Sequence, residues 1–325
     1  MTTPQTVSSI PFHNSYISVS SRSRPKSDSN SCMQCNRNMG TPFDIGSFCC
    51  IFRCIFHSLS LPLLFYFSFT VKRHKDNQFY SIMLAFVATY LWAAVVVPTV
   101  CIICKPVQWI YPNKFNLDFC FSHFLYDVLA IQHTVVWNAP LIETGIVLAN
   151  HRCALDWPLE SYIMKSTPIG RGMVFVASSI MSIIVLLEQR GIIMRRGVDK
   201  RDGIYARMVS HIETTDKKRI CFWPEGTRNS YTTLSSPEEV GTYLKYGLLK
   251  SIYDDKRYPV QLCISSNKEV AFSEKKLVAR RGVPIHTMIS KPIHPVDFAV
   301  EQDFYDAIKR EWFDCWVATH KPKAD

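Results

Sequence analysis

The sequence predicts an α/β protein, a mostly parallel sheet flanked by helices, preceded by an N-terminal membrane-embedded helix or helical hairpin. Three observations predict it. From residue 105 onward short apolar runs alternate with helix-like stretches, the pattern of strands buried on both faces under covering helices. A charge-free run from Phe79 to Cys104 exceeds the roughly 20 residues that cross a bilayer at about 1.5 Å per residue. The 325 residues are 47% hydrophobic and 20% charged, which excludes a largely disordered chain and leaves room for one catalytic-size core with accessory segments.

In chain order, residues 1–47 are a Ser-rich tail that bears Arg22, Arg24, Lys26 and Arg37 and has no acid before Asp28; they read as disordered. No apolar segment begins near Met1, so a cleaved secretory signal is not expected. Residues 48–104 read as membrane-anchoring helices. Phe79–Cys104 is the span, while the run 48–71 is interrupted by Arg53, His57 and Pro62 and is read as either a second span or an interfacial helix. Lys72, Arg73 and Lys75 separate the two runs. Residues 105–325 are the α/β domain. Strands are expected at Gly145–Ala149, Met173–Ala177, Gly191–Met194, Arg219–Trp223, Pro259–Ser265 and His286–Ile289, with helices over Trp157–Lys165 and Arg201–Thr215. Ser179–Leu187 is too short to span and is read as a buried or membrane-resting helix.

The net charge of +10 favours a polyanionic partner: nucleic acid, an anionic membrane surface or a phosphorylated substrate. Nucleic acid is excluded on signature, since the basic residues fall in no RNA-binding or zinc-finger pattern and the chain carries an apolar span. Twelve cysteines are diluted over the chain, and they read as mostly reduced thiols. The pairs Cys32/Cys35 and Cys101/Cys104 have CxxC spacing but lie far apart, so no metal is expected.

Three segments carry chemistry. The first strand runs into Asn150-His151-Arg152-Cys153-Ala154-Leu155-Asp156-Trp157. A histidine and a carboxylate in contact form a general base with its orienting partner. The H-x4-D spacing has no weight alone, because about half a match is expected by chance and the chain has three: His151/Asp156, His211/Asp216 and His320/Asp325. Context selects the first, which follows a buried strand, where α/β folds place ligands. Positions five apart on one helix point about 140° from each other. His151 and Asp156 therefore meet only if the helix begins between them, as Pro158 in a first turn permits; otherwise Asp156 caps the helix and His151 bonds the backbone.

The second segment, Arg219 to Arg228, is a strand running into Pro224-Glu225-Gly226-Thr227-Arg228. Gly226 permits a tight turn, Thr227 offers a hydroxyl and Arg228 a fork suited to phosphate; the alternative is an ordinary strand-exit turn with a surface Glu-Arg pair. The third, Gly191 to Arg196, brings Arg195 and Arg196 to a strand end, where Arg196 is positioned for a phosphate.

Together these blocks, followed by Tyr258-Pro259-Val260, resemble the glycerolipid acyltransferase family that includes lysophosphatidate acyltransferases, in the family's order and over about residues 140–295. The resemblance implies an acyl-CoA donor as co-substrate, no other cofactor, and a lysophospholipid or glycerol phosphate acceptor. It also implies a membrane-bound α/β acyltransferase domain, with the endoplasmic reticulum as the expected location and mitochondrial or plastid membranes as alternatives. His151 would be the base and Asp156 its partner. Asn150, Arg196, Glu225, Gly226, Thr227 and Arg228 would form the substrate-binding set. Two departures stand out: Trp223 where the family usually has Phe, and Ser178 where many members carry Lys. The expected reaction converts 1-acylglycerol 3-phosphate into phosphatidate. Lysophosphatidylinositol, lysocardiolipin and glycerol 3-phosphate are the alternative acceptors, and a non-catalytic anionic-lipid-binding membrane protein is the alternative of another class.

Overall fold

The computed structural model of the chain describes residues 8–9, 17–21 and, beyond three isolated positions at 106, 110 and 129, residues 131–320 with breaks at 155, 172–190, 196–198, 230–232, 274, 277 and 281. The expected membrane helices of 48–104, the strand at Met173–Ala177, the helix at Ser179–Leu187, Ser178 and Arg196 lie outside the described residues. Among those described, no helix is long and apolar enough to cross a membrane.

The elements are β1 (Ser8–Ser9), β2 (Ile17–Ser21), β3 (Gln132–Trp137), β4 (Gly145–Ala149), α1 (Asp156–Met164), β5 (Thr167–Arg171), β6 (Ile192–Met194), α2 (Arg201–Thr214), β7 (Arg219–Phe222), α3 (Pro237–Tyr243), α4 (Tyr246–Asp255), β8 (Val260–Ser265), α5 (Lys268–Ala271), β9 (Phe272–Ser273), β10 (Val278–Ala279), β11 (Pro284–Ile289) and α6 (Glu301–His320). The principal sheet has the order β1-β2-β3-β11-β8-β4-β7-β5-β6. Its strands pair in parallel except at β8/β11 and at the β1/β2 edge. The predicted mostly parallel sheet is thus present, with an antiparallel seam inside it.

Two short strands lie within the stretch expected to be a disordered tail. β2 pairs in parallel with β3, Val19 opposite Val135, and β1 pairs back on β2. Ile-Ser-Val-Ser alternates apolar and polar residues, the two-residue period of a strand.

Strand β4 is apolar throughout because both its faces are covered. In β4, Ile146 and Leu148 enter one core cluster with Met208, Leu249, Phe304 and Trp312 from α2, α4 and α6. Val147 and Ala149 point the other way and pack with Ile163 and Met164 of α1, Cys221 and Cys263. All five β4 residues are buried, and each large one stabilises the fold by about 2 kcal/mol relative to exposure. A strand solvated on one face would need polar residues at alternate positions.

Helix α2 matches the sequence expectation to one residue, Arg201–Thr214. Helix α3 starts at Ser236, whose hydroxyl accepts from the Glu239 N–H, with Pro237 in the first turn, a capped start. The strand β5 was not anticipated: Thr-Pro-Ile-Gly-Arg contains Pro and Gly, which read as punctuation. Its Thr167 and Pro168 pair with Ile220 and Cys221 of β7, and its other edge pairs with β6.

Candidate active site

Strands β4, β7 and β8 run in parallel, so their carboxyl ends open on one edge of the sheet, the usual ligand side of an open α/β fold. Asn150 follows β4 and is fully buried. Its amide donates to the Ser265 carbonyl at 2.8 Å and accepts from the Ser265 N–H at 2.9 Å. Both ends of the side chain are therefore spent on β8. Asn150 holds the loop to the sheet.

His151 comes next, its side chain 22% exposed, with Nδ1 2.8 Å from Oδ2 of Asp156. Helix α1 begins at Asp156 itself, so residues 151–154 are free to fold back and the 140° separation of a continuous helix does not arise. Pro158 sits in that first turn, where its missing N–H costs no hydrogen bond. Oδ2 of Asp156 also accepts the backbone N–H groups of Arg152 at 2.5 Å and Cys153 at 3.0 Å. The same oxygen thus holds the imidazole and the loop that precedes the helix.

Burial by itself would raise the Asp156 pKa; the Lys268 ammonium, the His151 contact and the Cys153 N–H outweigh it and bring it down to about 2. The carboxylate is ionised throughout the neutral range, so the Nδ1–H tautomer of His151 donates to it and Nε2 is the nitrogen left to take a proton.

The chain leaving β7 wraps the same imidazole. Trp223 stacks on His151 with ring centroids 5.2 Å apart and planes at 27°. The buried carboxylate of Glu225 accepts the His151 N–H, and the Asn229 N–H donates to the His151 carbonyl at 3.0 Å. Both peptide groups of His151 are thus fixed by the Pro-Glu-Gly-Thr-Arg segment. Glu225 thereby holds the backbone of the base. Gly226 closes the turn at φ +67°, its N–H donating to the Trp223 carbonyl at 3.0 Å; this left-handed conformation suits glycine. A Cβ there would lie 2.8 Å from the Lys245 ammonium.

Arg171, at the end of β5, donates to the Gly226 carbonyl. Thr227 is exposed and Arg228 half-buried, and the Lys275 ammonium donates to the Arg228 carbonyl at 3.5 Å. Arg171, Lys245, Arg228 and Lys275 therefore gather cations around one turn, a setting suited to an anionic group. Among the described residues, no cluster of three His, Cys, Asp or Glu side chains is arranged to hold a metal.

Behind the dyad lies a charged layer that sequence reading missed. Lys268, fully buried at the start of α5, reaches Oδ1 of Asp156 at 3.1 Å and the carboxyl of Glu160. Arg152, also buried, bonds Glu269 through two nitrogens at 2.5 and 3.2 Å and places its guanidinium 5.0 Å from the Trp316 ring. The available signal was Lys268-Glu269 directly after β8, charges at the end of a buried strand. It was lost because a charged pair at a strand end usually points into water.

Residues 131–253 match the family model described as Acyltransferase. Over this stretch the chain is similar to that family. The match spans His151 and Asp156 and the whole Pro-Glu-Gly-Thr-Arg turn, as the motif resemblance implied. No curated protein sequence matches the chain. Among solved structures, the chain is similar to the crystal structure of the 1-acyl-sn-glycerophosphate (LPA) acyltransferase PlsC from Thermotoga maritima. The TM-score is 0.55 at 15% identity, over 74% of this chain and 97% of that one. At that identity the likeness speaks for a shared α/β fold. Helix α6 lies beyond the matched residues and reaches the site through Trp316, against the Arg152 guanidinium.

Proposed function

We propose that the protein transfers an acyl group from acyl-CoA to the free hydroxyl of a lysophospholipid at a membrane, with 1-acylglycerol 3-phosphate as acceptor and phosphatidate as product. The observation that carries this reading is the His151 Nδ1–Asp156 Oδ2 contact of 2.8 Å beneath a turn ringed by cations. The activity of the similar solved structure, an LPA acyltransferase, supports the choice of acceptor.

In this mechanism Nε2 of His151 removes the proton from the acceptor hydroxyl as its oxygen attacks the thioester carbonyl. A C–O bond forms, the C–S bond breaks, and the CoA thiolate leaves and takes the proton from the imidazolium. Asp156 holds the ring and stabilises its cationic form. No enzyme nucleophile is needed. Cys153 is 1% exposed and its thiol points at Oδ1 of Asp156, so it packs at the helix start and forms no acyl intermediate. Arg228, Arg171 and Lys245 neutralise the acceptor phosphate, with Arg196 as a further expected contributor. Each buried CH2 of an acyl chain is worth about 0.8 kcal/mol. Donor and acceptor therefore remain in lipid, and anchoring through 48–104 brings the base to the headgroup plane.

The test is thiol release by purified protein in micelles, with acyl-CoA and a panel of lysophosphatidate, lysophosphatidylinositol, lysocardiolipin and glycerol 3-phosphate. His151→Ala is expected to lower kcat by about 100-fold or more, whereas Cys153→Ala keeps most of the turnover. Equal loss in both variants would point to a covalent acyl-cysteine route. Turnover independent of His151 would leave only the lipid-binding alternative. Preference for another lysolipid would correct the acceptor alone.

A further inference from the structure

The ammonium of Lys268 is fully buried, and a charge so placed costs several kcal/mol unless its hydrogen bonds are met. They are met by three groups. Nζ donates to the Asn150 carbonyl at 2.8 Å, to Oδ1 of Asp156 at 3.1 Å and to Oε1 of Glu160. An ammonium has three N–H groups, so its position is completely specified. Asn150 immediately precedes the base, Asp156 is the partner of the base, and Glu160 lies one turn further along α1.

The two oxygens of Asp156 have separate duties. Oδ1 meets Lys268, while Oδ2 takes Nδ1 of His151 and two loop N–H groups. Rotation of the carboxylate would exchange them, and the lysine opposes that rotation. From the other side of the ammonium, burial pushes the Glu160 carboxyl well up, a direction the nearby Asp156 charge reinforces, against the pull of Lys268 and of the Trp223 N–H. Asp156 is pulled down. The environments push the two acids in opposite directions, Asp156 towards its ionised form and Glu160 towards its protonated one. His133 of β3 faces the layer uncharged, burial first and then the Lys268 charge lowering it to about 3.

Trp223 lies against the other side of the imidazole, its ring stacked on His151. Asn267 precedes the lysine in a left-handed conformation, φ +63°, and turns the chain so that Lys268 points inward from the end of β8.

We propose that Lys268 is a positioning residue of the acyl-transfer reaction: its buried ammonium pins Oδ1 of Asp156 so that Oδ2 addresses Nδ1 of His151. This rests on the proposed general-base role of His151. Removing the ammonium alone would leave the buried Glu160 carboxyl without its donor as well as Asp156 without its counter-ion, so the test uses Lys268→Met with Glu160→Leu, which leaves Asp156 to its His151 and loop N–H bonds. The paired variant is expected to fold with a lower melting temperature than the wild type, to keep both KM values within about threefold and to lose at least about tenfold in kcat. In the Asp156→Asn background the same pair is expected to cost less than about threefold, since no carboxylate remains to be pinned.

A folded pair that keeps kcat within about tenfold of wild type, or one whose loss is undiminished in the Asp156→Asn background, overturns the proposal. If the pair does not fold, Lys268→Arg decides. Retention of the cation is expected to keep kcat within about tenfold, and a folded arginine variant as slow as Asp156→Asn overturns the assignment. His151→Ala, run alongside, separates the two readings, because turnover that survives it removes the general-base mechanism whatever Lys268 does.

Discussion

At the scale of single residues, the site depends on keeping one buried carboxylate ionised. Asp156 is pulled from its ordinary 3.8 to about 2, the Lys268 ammonium leading the groups that overcome the effect of burial. Its contribution to stability is therefore complete above about pH 4, where native and unfolded chains are both ionised. It is lost as pH falls towards about 2, because the unfolded chain takes up the proton first. A shift of this size corresponds to about 2 kcal/mol. Urea melts of wild type and Asp156→Asn are expected to show their stability difference narrowing by about that amount between pH 5 and pH 2. A difference that stays constant over this range would mean that Asp156 is not held low in the native state.

At the scale of elements, the site is a meeting of strand ends, and close strand approach is what brings them together. Gly145 opens β4 at φ +154°, its N–H donating to the Lys218 carbonyl at 3.0 Å while the Ile146 N–H donates to the Pro259 carbonyl at 2.9 Å. A Cβ at Gly145 would stand 2.6 Å from the Pro259 carbonyl oxygen and 2.8 Å from Ile142 Cδ1. Backbone cannot give way as a side-chain tip can. Gly145→Ala is expected to cost about 1–3 kcal/mol in chemical denaturation. It should also lower kcat, since Asn150 ties the end of β4 to Ser265 of β8. Unchanged denaturation would show that the two strands can separate here without penalty.

At the scale of the whole molecule, helix α6 reaches back to the site from the end of the chain. Trp312 is 1% exposed, in the same core as Phe304, Ile308 and Trp316, and Trp316 backs the Arg152 guanidinium. Trp312→Ala is expected to lose about 3–5 kcal/mol of stability, read as a shift in the urea midpoint; a loss below 1 kcal/mol would place the helix outside the cooperative fold. The proposed membrane location makes a separate prediction for the full chain. If 79–104 spans the bilayer, the protein resists extraction by about 1 M salt, which shortens screening to about 3 Å, and is released only by detergent. Release by salt alone would instead describe a surface-bound, electrostatic association.

The local pattern determined much of this. Continuous apolar runs between helix-like segments stated a sheet covered on both faces, because a strand with no polar side has nowhere to expose one. The order of His151, Asp156 and the Gly226 turn stated which strand ends carry the chemistry. Spacing could not say whether His151 and Asp156 meet, since that depends on where α1 begins, and the structure begins it at Asp156. Nor could it assign Asn150 and Glu225 to holding the loop, or bring Lys268 beneath a carboxylate more than a hundred positions earlier in the chain. Those are decisions of tertiary structure: a buried charge is stable only where partners from distant segments complete its hydrogen bonds, and no local pattern records which segments will arrive.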